Sequence, residues 1–110
     1  MEYLSQDDIA DIKVKSKSAV VFSSNLMERL FMPSEFIGHN VNGRGMNKLD
    51  VKKKLDPIRI NYIEKLVNKY FNPGRKVNLW PKCVKRMNRR ILELCPANKN
   101  RRIRIKQDIE

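Results

Sequence analysis

The sequence has few of the residues on which catalytic and metal sites depend. It contains one histidine, His39, and two cysteines, Cys83 and Cys95, in 110 residues. A structural zinc site needs four such ligands at close spacing, and the chain has no CxxC pair. Its carboxylates form no DxD or ExxH pair, and no GK[ST] follows the glycines near residue 43. We therefore expect no cofactor, no metal and no enzymatic activity.

The two cysteines also lack the spacing of a disulfide. If both lie on one helix, their separation of 12 residues places them about 18 Å apart. That distance is far beyond the reach of a disulfide within the helix. We expect both to serve as small hydrophobic residues of the core.

Long apolar runs are absent as well. No segment approaches the roughly 20 apolar residues that cross a bilayer. The first eight residues carry acids and lack the apolar stretch of a signal peptide. These features predict an intracellular protein that does not associate with membranes.

Acidic residues are scarce in the second part of the chain. Residues 44–106 carry 20 of the 24 basic residues and four of the 12 acids, a net charge of +16 within a total of +12. Residues 1–43 carry four basic residues and six acids, a net of −2. A field so one-sided attracts polyanions, and it is the electrostatic pattern of a nucleic-acid binder.

The chain is rich in helical periodicity. Apolar residues at three- and four-residue spacing predict helices over 18–32, 57–71 and 78–95. Asp56 and Pro57 form a typical helix start. The sequence supports a short helix over about 5–13 only weakly, and it predicts a brief turn over 35–37 that closes at Gly38.

These elements predict an all-α fold, a small single-domain bundle of about four to five helices. We place the domain over 18–97, with a linker or N-terminal extension over 1–17 and a basic tail over 98–110. Residues 39–48 are predicted to form a loop, and strand-like alternation is confined to 102–106.

The cations of the last helix are the most informative feature. They recur at three- and four-residue spacing on a face away from the apolar stripe, with Glu93 as the nearby acid. Like charges this close repel one another, and a helix built for solubility would mix both signs. The residues are Lys82, Lys85, Arg86, Arg89 and Arg90. Arginine suits bidentate contacts to phosphate and to guanine edges, so we expect this face to bind DNA.

Further cations extend the predicted interface beyond this face. Arg44 lies in the glycine-containing loop, where it could contact phosphates or a minor groove. The other candidates precede the last helix or follow it: Arg75, Lys76, Lys99, Arg101, Arg102 and Arg104. Aromatic residues make up 7% of the chain and mostly occupy core spacing, which favours duplex binding over stacking on single strands.

Two other functions stay open at this point. The basic surface could grip an acidic protein partner, which would make the chain an interaction adaptor. It could also coat cytoplasmic DNA and shield it from host sensors. The sequence leaves self-association open too.

The order of features resembles the BEN domain over about residues 18–95. The resemblance is carried by Leu30-Phe31, by the helix start Leu55-Asp56-Pro57, and by Trp80-Pro81-Lys82-Cys83 with Met87-Asn88 after it. Met87 departs from the family pattern, which often has isoleucine there. The high lysine, asparagine and isoleucine content is similar to that of the BEN domains of the poxvirus virosome-associated early protein.

The resemblance implies an all-helical fold that binds duplex DNA through its C-terminal helix region and adjacent loops. It implies a role in transcriptional repression or chromatin, with viral or chromatin proteins as further partners. For a poxvirus member it implies organisation of viral DNA in cytoplasmic factories, and otherwise a nuclear location.

Overall fold

The computed structural model describes residues 3–44, 51–96 and 98. Within these residues it contains four α-helices: α1 (Gln6–Val14), α2 (Ala19–Leu30), α3 (Pro57–Phe71) and α4 (Trp80–Leu94). A short 3₁₀ helix spans Pro33–Phe36 and another spans Pro73–Arg75. The predicted all-α fold is therefore confirmed. None of the described helices is long and apolar enough to cross a membrane.

The helix starts follow the capping residues that the sequence displays. The Ser18 side chain accepts a hydrogen bond from the Val21 N–H at 3.3 Å, which fixes the start of α2. The Asp56 carboxylate does the same for the Ile58 N–H at 3.1 Å, and Pro57 occupies the first position of α3.

Helix α2 is the centre of the bundle, because α1, α3 and α4 all pack against it. Its Phe22, Leu26 and Met27 are fully buried. The Phe22 ring meets Tyr70 and Phe71 of α3 at centroid distances of 6.2 and 5.1 Å. The buried residues that α4 adds to this core are Cys83, Met87 and Ile91. Cys83 is thus a core residue as predicted, and its burial raises the pKa of the thiol.

The N-terminal segment packs on the domain. We treated residues 1–17 as a linker or extension because their few apolar residues form no long stripe. In the structure Leu4, Ile9 and Ile12 are nevertheless buried in the common core. Ser5 caps α1 through the Asp8 N–H at 3.1 Å. These three apolar residues are too few to form a periodic stripe in the sequence, yet they suffice for α1 to pack against α2.

A short parallel strand pair closes the loop between α2 and α3. Strand β1 (His39–Asn40) pairs with β2 (Lys53–Lys54). The Lys53 N–H donates to the Gly38 carbonyl, and the Leu55 N–H donates to the Asn40 carbonyl, both at 2.9 Å. Our prediction of a plain loop over 39–48 was therefore wrong for residues 39 and 40. Strands of two residues leave no alternation in the sequence, and backbone hydrogen bonds alone define them.

Arg59 ties the start of α3 to the end of α2. Its guanidinium contacts the Glu35 carboxylate at 2.6 Å, the Asp56 carboxylate at 2.9 Å and the Leu30 carbonyl at 2.8 Å. It also stacks on the Phe31 ring, 4.1 Å from the centroid. Hydrogen bonds from Arg59 lower the pKa of both carboxyl groups, and those carboxylates raise the pKa of Arg59.

Candidate nucleic-acid interface

Helix α4 separates its apolar and cationic residues sharply. Cys83, Met87 and Ile91 recur every four residues and face the core. The cations on the opposite side are exposed, and we call them the basic face: Lys82, Lys85, Arg86 and Arg89. The helix therefore presents a continuous row of positive charge to solvent.

The basic face has few carboxylate partners. Among the described residues Lys82, Lys85 and Arg86 form no ion pair with a carboxylate. Arg89 approaches the Glu93 carboxylate at 3.7 Å, with 74% of its own side chain exposed. A contact that long and that exposed stabilises little, so the guanidinium is available to an anionic ligand.

Arg90 differs from its neighbours on α4. It is half-buried and bonds the Glu28 carboxylate of α2 at 3.0 and 3.2 Å. It also bonds the Glu93 carboxylate at 3.1 Å. The hydrogen bonds that Arg90 donates to Glu28, and then the one to Glu93, raise the pKa of Arg90. Arg90 thus forms a clamp, by which we mean an ion pair that joins α4 to α2. From the sequence we predicted it as one of the residues that contact DNA.

The loop after β1 is fastened to α4 by an asparagine. The Asn88 side-chain oxygen accepts a hydrogen bond from the Val41 N–H at 2.9 Å, across 47 residues of sequence. The buried Asn40 side chain then orders the turn that follows, bonding the Gly43 N–H at 2.6 Å and the Arg44 carbonyl at 2.5 Å. The turn that carries Arg44 is thus built on the same helix as the basic face.

Arg44 is exposed at the end of this turn. Gly43 has a positive φ of +72° and packs so closely that a Cβ there would lie 3.2 Å from the Lys54 backbone nitrogen. Lys53 and Lys54 are exposed as well. This close approach places the backbone that leads into Arg44 against the backbone of β2.

Arg75 and Lys76 lie in the connection that leads into α4, and both are exposed. The remaining candidates lie outside the described residues: Lys99, Arg101, Arg102 and Arg104. In the part of the chain that the structure does describe, no three His, Cys, Asp or Glu residues cluster as a metal site would require.

Three positioning residues were missed from the sequence. Asn88 holds the Arg44 loop, and Asn98 is fully buried between the Gly38 N–H at 2.9 Å and the Phe36 carbonyl at 2.8 Å. Arg59 is half-buried in the network described above. For Asn88 the sequence did carry a signal, because asparagine is unfavourable in the interior of a helix. Its presence there indicates a hydrogen-bond partner elsewhere in the fold.

Comparisons with protein-family models, with curated proteins and with solved structures find no match to this chain.

Proposed function

We propose that this chain is a double-stranded DNA-binding domain that holds phosphates and a groove with the basic face of α4. One observation carries the proposal: four exposed cations occupy one side of a helix whose other side is anchored in the core. Burial of Met87 and Ile91 fixes the helix axis, so the cations are presented on a rigid support. Rigid presentation lowers the entropy that binding must overcome.

The dimensions of the basic face suit a duplex. From Lys82 to Arg89 the helix rises by about 10 Å, at 1.5 Å per residue. The major groove is about 12 Å wide and admits an α-helix, while the phosphates of each strand repeat every ~3.4 Å. The Arg44 loop, attached through Asn88, flanks the same helix and could reach the neighbouring backbone.

The aromatic residues support duplex binding over single-strand binding. Tyr62, Tyr70 and Trp80 are half-buried and pack against the core. Single-strand binding modules stack bases on exposed aromatic rings. The candidate surface offers cations instead, which suits recognition of a backbone.

Membership of the BEN family is part of the same proposal, on the residues that carry the resemblance. It would give the domain a role in transcriptional or chromatin regulation in the nucleus. For a poxvirus chain it would instead give a role in organising viral DNA in cytoplasmic factories, together with other viral proteins.

The direct test is fluorescence anisotropy with a labelled 20-bp duplex at 50 and 200 mM salt. If the four cations of the basic face neutralise four phosphates, affinity should fall about 10²-fold between these concentrations. Each additional phosphate contact adds about 3.5-fold to that loss. Absence of binding at 50 mM salt would refute the proposal.

A charge-reversal variant tests whether the basic face is the surface that contacts DNA. R86E/R89E should weaken binding to unrelated duplexes alike if the two arginines contact phosphates. A loss confined to one sequence would mean that they read bases. K15E/K17E makes the same change in charge on exposed residues away from α4, and circular dichroism checks that both variants fold. Equal losses in the two variants would mean that net charge alone drives binding.

The adaptor function predicts a different result. If the basic face binds an acidic protein, excess duplex should displace that protein only where the two ligands share the surface. Coating of cytoplasmic DNA against host sensors requires the same duplex binding, and a DNA-sensor activation assay with R86E/R89E would test it.

A further inference from the structure

A second cluster of cations lies on α3 and on the turn that follows it. At the C-terminal end of α3 a surface cavity is lined by three cations and two asparagines, with no carboxylate among its lining residues. The cations are Lys65, Lys69 and Arg75. All three are exposed. Of these only Arg75 was among the residues predicted from the sequence to bind DNA.

The backbone at Arg75 is unusual for its residue type. Arg75 has a φ of +53° and follows Gly74, which has a φ of +77°. A residue with a Cβ pays roughly 1–2 kcal/mol for the left-handed conformation, so glycine or asparagine is the ordinary choice there. An arginine held in this conformation needs support from its surroundings.

Asn72 provides that support. It is buried, and its side chain bonds the Val77 carbonyl at 2.5 Å and the Val77 N–H at 3.3 Å. Its own carbonyl accepts the Arg75 N–H at 2.9 Å. These bonds fold residues 72–77 into a compact turn at the end of α3, and this places Arg75 beside Lys65 and Lys69.

A purely structural explanation accounts for only part of the cluster. Lys69 lies in the last turn of α3, where a cation interacts favourably with the helix dipole, and it stacks over the Tyr70 ring at 5.3 Å. Lys65 is one turn earlier, outside the reach of that dipole effect. Neither Lys65 nor Arg75 has a carboxylate partner among the described residues.

The cavity and the basic face lie on different helices around α2. Helix α3 packs against α2 through the rings of Phe22 and Phe71. Helix α4 packs against it through the ion pair between Arg90 and Glu28. Each helix turns its apolar side to α2, so the two sets of cations lie on the solvent-facing sides of two different helices. DNA is stiff over ~150 bp, and a short duplex seated on α4 would not wrap onto α3.

We propose that the cavity lined by Lys65, Lys69 and Arg75 is a second phosphate-binding site, through which one domain holds two duplex segments. The inference rests on the proposed function, because it takes the basic face of α4 as the first site. Arginine offers a bidentate fork to a phosphate, and the lysines add point charges. The chain would then act as a DNA cross-bridge.

Stoichiometry tests the proposal. Full-length chain is mixed at low salt with an excess of a 12-bp duplex, and the mass of the complex is measured by analytical ultracentrifugation. The expected result is two duplexes on one chain. Saturation at one duplex per chain would overturn this inference and leave the proposed function intact. Absence of any complex would refute the proposed function itself.

A bridging assay with matched variants assigns the second site. One duplex is immobilised on beads and a second, fluorescent duplex is recruited through the protein. K65Q/K69Q should recruit at least about tenfold less, a loss that two charge-assisted contacts of modest strength can produce. K15Q/K17Q removes the same charge from exposed residues outside both sites and should recruit like the natural chain.

Two results would contradict the second site. In the bridging assay, equal recruitment by K65Q/K69Q and K15Q/K17Q would show that the cavity plays no part. In the ultracentrifuge, a complex containing two chains and two duplexes would show that self-association does the bridging.

Discussion

The Asn88 side chain on α4 accepts the backbone N–H of Val41 at 2.9 Å. This one hydrogen bond joins the helix that carries the basic face to the loop that carries Arg44. Val41 is buried, so its N–H has little access to water if the bond is lost.

We predict that N88A costs about 1–2 kcal/mol of stability, because an unsatisfied N–H near the core costs about that much. N88A should also weaken duplex binding, since the Arg44 turn loses its attachment. Urea unfolding and anisotropy measure the two effects. N61A is the control, because Asn61 is exposed on α3 and its side chain forms no hydrogen bond with any of the described residues. Similar behaviour of the two variants would contradict the role given to Asn88.

Arg59 should make stability depend on acid pH. Its hydrogen bonds lower the pKa of Glu35 and Asp56 below the ordinary values of 4.5 and 3.8. Since the folded-state values are the lower ones, the ion pairs contribute fully above about pH 4.5. They lose that contribution as pH falls through the lowered values. Stability should therefore drop in acid beyond what loss of exposed pairs produces.

We expect R59M to cost about 1–3 kcal/mol at pH 7, because it leaves the two carboxylates and the Leu30 carbonyl without their partner. The gap between R59M and the natural chain should narrow towards pH 3. Urea midpoints at pH 7, 5 and 3 measure this. R29M is the matched control, because Arg29 pairs with Asp8 at 3.4 Å in an exposed position and should matter by less than about 1 kcal/mol. A gap that stays constant with pH would show that packing, and not charge, explains the loss.

Substitutions at Arg86 and Arg90 should have different effects. The first should change mainly duplex affinity, and the second mainly stability. R86Q removes an exposed cation and should weaken duplex binding about threefold or more at low salt, with little effect on unfolding. R90Q breaks the clamp to Glu28 and Glu93, so it should cost up to about 1 kcal/mol of stability and change affinity less than about twofold. Anisotropy and thermal unfolding of both variants decide the matter. If R90Q lost as much affinity as R86Q, Arg90 would have to be counted among the residues that contact DNA.

Gly43 and Gly74 offer a matched pair for backbone strain. Both have positive φ, at +72° and +77°. A Cβ at Gly43 would also lie 3.2 Å from the Lys54 backbone nitrogen, while at Gly74 the nearest atom is a flexible Lys76 carbon at 3.9 Å. G74A should cost about 1 kcal/mol for the conformation alone, and G43A should cost more. Equal urea midpoints for G43A and G74A would mean that the β1–β2 pair shifts to accommodate the added Cβ at no cost in stability.

Much of this fold could be predicted from local sequence. Ser18, Asp56 and Pro57 start helices, apolar spacing predicted three of the four helices, and Cys83 was assigned to the core. These features depend on neighbours within one or two turns, which the sequence displays directly.

The long-range contacts could not be predicted in this way. The β1–β2 pair depends on backbone atoms of Gly38 and Lys53, which have no side-chain signature. Glu28, the partner of Arg90 on α2, and Val41, the partner of Asn88, lie 62 and 47 residues away, so sequence spacing reveals nothing of them. For this reason the sequence assigned all five α4 cations alike, whereas the structure separates Arg90 from the exposed four.

Asn98 has a consequence for how the chain is made. Its buried side chain supplies the partner for both the Gly38 N–H and the Phe36 carbonyl, about 60 residues earlier. During synthesis the N-terminal half leaves the ribosome first, and it must wait for residue 98 before this turn is complete. Any fragment that stops short of Asn98 would leave both backbone groups without that partner.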